Sequence, residues 1–167
     1  IACEVQVGAT SGHAEQPINI TSGASLTVAK DGGCISGAAD LRADGAGEIV
    51  MNGVNTFDGK LSILAGRFTA NNDAAFGSTV GGTYVRMLTA ETVTDRTVTF
   101  GGIVTHENFE WQSRLNKEGM VVFPANATNE FYGNWTTLKT SAEDAPAGRN
   151  TMVYATYGQK SRTVYRG

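Results

Sequence analysis

The residues able to do chemistry are few, and none of their spacings completes a known constellation. His106-Glu107-Asn108-Phe109-Glu110 begins like a metalloprotease helix, but zinc chemistry wants a second histidine four residues after the first, where Glu110 stands. His13, the other histidine, lies in a polar stretch, so each histidine reads as a solvated loop residue. Asp40, Asp44 and Glu48 beside Gly45 and Gly47 offer oxygen ligands on a glycine turn, which suits calcium. Their spacing departs from the alternating-aspartate loop, however, and the glycine-rich nonapeptide of calcium-binding β-rolls is absent. Glycosidases and polysaccharide lyases work with paired acids, for which Glu107/Glu110 and Glu143/Asp144 are available. No sequence feature sets either pair across a groove or supplies a basic partner, so these carboxylates read as solvated turn residues.

Phosphate loops fare no better. The run Gly45 to Val50 starts like a dinucleotide turn but has Val50 where glycine is wanted, and it leads into a strand pattern instead of a helix. Asp58-Gly59-Lys60-Leu61 lacks the spaced first glycine and the hydroxyl residue of a nucleotide loop. The expectation is a non-catalytic protein with no cofactor and no metal. Trp111, Trp135, Phe109, Phe131 and Tyr132 gather in one region and could stack on sugar rings, although alternating aromatics in repeated strands more often fill the interior. Asn19-Ile20-Thr21, Asn126-Ala127-Thr128 and Asn134-Trp135-Thr136 match a glycan acceptor that matters only in a eukaryotic source.

The elements that would position these residues are short strands. Leu61 and Ile63 alternate with Lys60 and Ser62, and Phe68 with Arg67 and Thr69, with Gly or Asn/Asp at each corner. Similar alternation occurs at Val5 and Val7, from Pro17 to Thr21, at Leu26-Thr27-Val28 and from Glu48 to Met51. Sustained helical periodicity is missing, although Asp73 to Phe76 could make a single turn. Gly 21 against Pro 3 suits many corners that need φ > 0. Charged residues are only 17%, and a net charge of -3 with scattered Lys and Arg excludes a stripe that tracks nucleic acid. There is no apolar run long enough to insert in a membrane. Cys3 and Cys34 are the only cysteines; they read as a disulfide tying the N-terminal arm to the body, with two unrelated buried thiols as the alternative.

The chain also repeats itself. Leu41, Gly45, Phe57 and Gly59 recur at an offset of 74 residues as Leu115, Gly119, Phe131 and Gly133. Asp73-Ala74 and Gly77 recur at 71 as Asp144-Ala145 and Gly148, and Arg96-Thr97-Val98 at 66 as Arg162-Thr163-Val164. Long repeats holding several short strands are a mark of stacked coils, which bury their inner faces against one another. The organisation expected is an arm or cap over residues 1–24 and a body over 25–167, with degenerate repeats at about 25–95 and 96–161 and the start of a third.

Within this pattern, Gly53, Asn55-Thr56-Phe57, Gly59, Leu61, Ile63, Gly66, Phe68, Asn71 and Ala74-Ala75-Phe76-Gly77 resemble the autotransporter-associated β-strand repeat of bacterial passenger proteins. The second copy is degenerate: Trp135 replaces Leu61, the Gly66 position is lost and Pro146 enters. The resemblance implies an all-β, right-handed parallel β-helix (β-solenoid), exported to a bacterial cell surface or released, in which these residues are structural. It implies an adhesin-like spacer or presenter that could meet a host or glycan surface. Two alternatives stand beside it. One is a subunit of an extracellular filament, self-associating through solenoid ends or an N-terminal strand; the other is a carbohydrate-binding or polysaccharide-degrading β-helix protein.

Overall fold

The computed structural model describes residues 4–8, 15–87, 96–113, 119–137 and 153–166. All regular structure among them is strand, and every strand pair is parallel. A first sheet holds β1 (Glu4–Val7), β4 (Cys34–Gly37) and β7 (Thr56–Phe57). The second has six strands: β2 (Gln16–Asn19), β5 (Leu41–Asp44), β8 (Leu61–Ile63), β10 (Thr83–Met87), β13 (Phe109–Ser113) and β16 (Trp135–Thr137). The third, also of six, holds β3 (Ser25–Val28), β6 (Glu48–Met51), β9 (Gly66–Ala70), β11 (Arg96–Phe100), β14 (Gly119–Phe123) and β17 (Val153–Tyr157). The fourth holds β12 (Val104–Thr105), β15 (Thr128–Phe131) and β18 (Arg162–Tyr165).

The chain visits these sheets in rotation, an order compatible with a β-helix. Each layer passes through the first or fourth sheet, then the second, then the third. One layer has no strand at the first position. There Asn72 to Gly77 makes a turn, with Ala75 N donating to Asn72 O at 3.0 Å and the Asn72 side chain accepting from Ala74 N at 2.9 Å. Backbone bonds tie this turn to β7, and Asp73 Oδ1 accepts from Val104 N of β12 at 2.7 Å, so it bridges the first and fourth sheets. Residues expected as an arm or cap form the outer strands β1 and β2, paired in register with β4 and β5.

The period of two fixes which residues point inward, and parallel register stacks them in columns. In the second sheet Leu41, Leu61, Thr83, Phe109 and Trp135 share one column and Ala43, Ile63, Val85 and Trp111 another. The third sheet stacks Ile49, Phe68, Val98 and Val121, all nearly without exposure. Phe76, carried by the turn, sits among rings: centroids lie 5.6 Å from Phe68, 5.9 Å from Phe100 and 5.0 Å from Phe109. Burying this many large rings is the main apolar gain of the fold.

The repeat has a structural period. Phe57 and Phe131, or Leu61 and Trp135, hold the same place in the rotation three layers apart. Arg96-Thr97-Val98 and Arg162-Thr163-Val164 do not, because the first lies in the third sheet and the second in the fourth. The matched positions Leu115, Asp144, Ala145 and Gly148 lie outside the described residues.

Candidate functional site

Polar groups with unusual surroundings concentrate where the chain turns into the second sheet. Outside that sheet, Lys60 Nζ bonds Glu110 Oε2 at 2.8 Å and lies 5.0 Å from the centre of the Tyr84 ring, whose hydroxyl bonds Gln112 Oε1. The layers are set by the pairing of β8, β10 and β13, so three successive strands hold these groups side by side. Lys60 and Glu110 are both well over a third exposed, and the pair contributes well under 1 kcal/mol.

Behind this stripe lies a carboxyl of a different kind. Glu107 is 1% exposed, with Oε1 accepting from the equally buried Thr83 hydroxyl at 2.9 Å and Oε2 without a partner among the described residues. Its backbone N–H donates to Thr105 Oγ1 at 3.2 Å. Burial pushes this carboxyl up to about 7, and the Thr83 bond opposes the shift only in part. A pocket of about 150 Å³ opens beside it, lined by Lys60, Val80, Gly81, Gly82, Thr83 and Asn108 among others. Glu107 thus turns inward and Glu110 outward, so the two acids do not face one cleft.

Two further surface groupings accompany it. On the fourth sheet His106 stacks on Tyr132 with centroids 4.7 Å apart, and Arg166 lies 5.7 Å from the same ring. The Tyr132 hydroxyl donates to Glu130 Oε2 at 2.9 Å, which with the nearby Arg166 holds that carboxyl below its ordinary range. On the first sheet an open groove of about 630 Å³ is edged by Glu4, Gln6, Ser36, Thr56 and Asp58, and Ser36 Oγ donates to Glu4 there.

The other residues singled out in the sequence are dispersed. Asp40 Oδ1 accepts from Lys60 N at 2.7 Å, Asp44 Oδ1 from Gly45 N at 2.8 Å, and Glu48 faces Arg67. Among the described residues no three His, Cys, Asp or Glu side chains converge on a metal position. Cys34 is a free, half-buried thiol with Sγ 3.8 Å from Thr56 Oγ1, and no disulfide is found among the described residues. Cys3, His13, Glu143 and Asp144 lie outside them. Phe109, Trp111 and Phe131 are interior, whereas Tyr132 is on the surface and Trp135 half-buried. Asn19, Asn126 and Asn134 are exposed.

Of the repeat-like block, Phe57, Leu61, Ile63, Phe68 and Ala75 are all within 1% of full burial. A Cβ at Gly53 would fall 2.1 Å from Gly33 O, and Gly66 and Gly77 adopt φ of +72° and +83°. Asn71 is exposed and donates to Asn52 Oδ1 at 2.8 Å. Asn55 is the exception in kind: 2% exposed, it accepts from Ile35 N below at 2.9 Å and donates to Ala75 O above at 3.0 Å, tying three layers together. Sequence reasoning treated Glu107 as a turn carboxylate; the signal for its burial was its place one layer below the corner glycine Gly133.

No family model, no curated protein and no solved structure matches this chain.

Proposed function

We propose that this chain is a right-handed parallel β-helix segment of an exported surface protein, a non-catalytic spacer that holds other regions away from the cell. The observation that supports this reading is the rotation of parallel strands through the same sheets in successive layers, with inward columns of apolar residues. Stacked parallel strands add length by about 4.8 Å per layer without any new core design, which is what a spacer needs. The resemblance of Gly53 to Gly77 to the autotransporter-associated repeat points the same way.

The test is surface display in the source cell. An epitope inserted beside Val80, which is 80% exposed, is expected to bind antibody on intact cells and to be removed by external protease. An epitope protected until the cells are opened would overturn the reading.

A second reading, a subunit of a self-assembling extracellular filament, is favoured by one specific feature. The parallel edge-to-edge pairing that joins each layer to the next is a contact that a second copy of the chain could repeat. Light scattering across a concentration series separates the two: growth into polymers supports the filament, and a constant monomer mass removes it. A host or glycan surface remains the proposed partner class for the spacer, and a glycan array without binding would remove the carbohydrate reading.

A further inference from the structure

Where each layer turns into the second sheet, the strand registers stack Ala39, Gly59, Gly81, Glu107 and Gly133, each two residues before a paired column residue. This column leaves almost no room for side chains. A Cβ on Gly59 would lie 2.1 Å from Ala39 O, on Gly81 2.3 Å from the Gly59 carbonyl carbon, and on Gly133 2.0 Å from Glu107 O. One layer nonetheless carries a carboxyl into it. Its one side-chain bond among the described residues is from Thr83, which is buried between Leu61 and Phe109 in its column.

Among the described residues no counter-charge faces this carboxyl. On the elements packed against it, Lys60 and Glu110 are paired to each other outside the second sheet, with Tyr84 beside them. His106 stacks on Tyr132 outside the fourth sheet, where Glu130 holds Tyr132 and Arg166. Asp58 is exposed along the groove of the first sheet. A carboxylate left in the column would therefore be a buried, unpaired charge, which folded chains avoid by keeping the proton or by letting water in. Water has a short route. Thr83 lines the neighbouring pocket, whose wall includes Thr79 to Gly82 of the loop 78–82; Val80 of that loop is 80% exposed and Gly82 has φ of +73°.

We propose that Glu107 is a proton-operated latch: protonated, it closes the corner onto Thr83, and on losing its proton it opens the loop 78–82 so that water reaches the carboxylate. The direction follows from where the proton is held. At acidic pH both the folded and the unfolded chain are protonated and the latch is fully closed. As pH rises from about 4.5 toward about 7 the unfolded or opened chain releases its proton first, so the closed form loses ground, and above that range the loss is complete. The latch thus favours an acidic medium for the closed state.

Amide hydrogen exchange of the whole chain at pH 5 and pH 8, corrected for intrinsic exchange, reads the opening directly. Protection of residues 78–83 and 105–109 is expected to fall by roughly a hundredfold in the native chain, two pH units of proton release, and to stay level in Glu107→Gln. Equal protection at both pH values in the native chain, or the same fall in Glu107→Gln, would overturn the latch. Carbon-13 titration of the native Glu107 carboxyl keeps the test independent of any variant: a midpoint near 7 upholds it, and one in the ordinary carboxyl range sinks it.

Discussion

The layers from β4 to β9 and those from β13 to β18 answer the same packing problem differently. In the lower layers a strand meets its partner 19 or 20 residues on, as in Ser36 with Thr56, Leu41 with Leu61 and Glu48 with Arg67. Inward positions are mostly aliphatic there: Ile35, Leu41, Ala43, Ile49, Met51, Leu61 and Ile63. In the upper layers the return lengthens to 26 residues for Phe109 to Trp135 and 34 for Gly119 to Val153, and the interior becomes aromatic. Orphaned polar atoms are more numerous in the same place: Trp111 Nε1, Asn129 Nδ2, Trp135 Nε1, Ser161 Oγ and Thr163 Oγ1 have no partner among the described residues, against Arg42 Nε in the lower layers. Short, uniform returns let like residues stack and let side-chain hydrogen bonds close. Where returns vary, large rings fill the cross-section and polar satisfaction suffers.

The comparison breaks most violently at Ile63, which lies 1% exposed between Ala43 and Val85. Ile63→Asp buries a charge with no partner and is expected to abolish cooperative unfolding, a loss above about 4 kcal/mol. Val104→Asp, at a position 44% exposed, should stay within about 0.5 kcal/mol of the native chain. Urea titration followed by near-ultraviolet circular dichroism decides it; a folded Ile63→Asp of native stability would mean that this face is not interior.

Much of the lower region is legible in the sequence. The alternation of Leu61 and Ile63 with polar neighbours gives their inward direction, and Phe57 with Phe131 marks positions three layers apart. The layer itself was not legible, because the spacing drifts from Leu61–Thr83 at 22 residues to Thr83–Phe109 at 26, and no fixed period survives that drift. The correspondence of Arg96 with Arg162 failed for this reason, relating strands of different sheets. Glu107 was read as solvated because a carboxyl is rarely interior, and only the column of corner glycines reveals its place. The three carboxylates near Gly45 give the opposite lesson: residue types suggestive in sequence have separate local partners in space.

The aromatic region is expected to be the costlier one to hollow out. Phe100 has ring neighbours in Phe76, Phe109, Phe123, Phe131 and Trp135, all with centroids within 6.0 Å. Phe100→Ala should cost about 4 kcal/mol, and Met51→Ala, in the same column two layers below, about 3 kcal/mol, since methionine's neighbours close more readily over the space. Chemical denaturation of the two variants measures the difference; a Met51→Ala loss equal to or above that of Phe100→Ala would show that the ring cluster is no tighter than the aliphatic columns.

The last contrast is between two asparagines that the 74-residue repeat aligns. Asn55 and Asn129 are both buried, at 2% and 0% exposure, and each accepts backbone N–H groups from the layer below. Asn55 also donates to Ala75 O, so its removal orphans groups above and below: Asn55→Ala is expected to cost about 3 kcal/mol. Asn129 accepts from Gly102 N at 3.1 Å and Ile103 N at 3.0 Å, but its own amide nitrogen has no partner among the described residues. Asn129→Ala loses those acceptor bonds and at the same time relieves a buried unsatisfied donor, so about 1.5 kcal/mol is the expected cost. Thermal and urea unfolding of the two alanine variants under one buffer condition give the comparison. Equal losses would mean that the Asn129 amide is satisfied in solution, by water entering the upper layers, and the contrast between the two regions would then lie in ring packing alone.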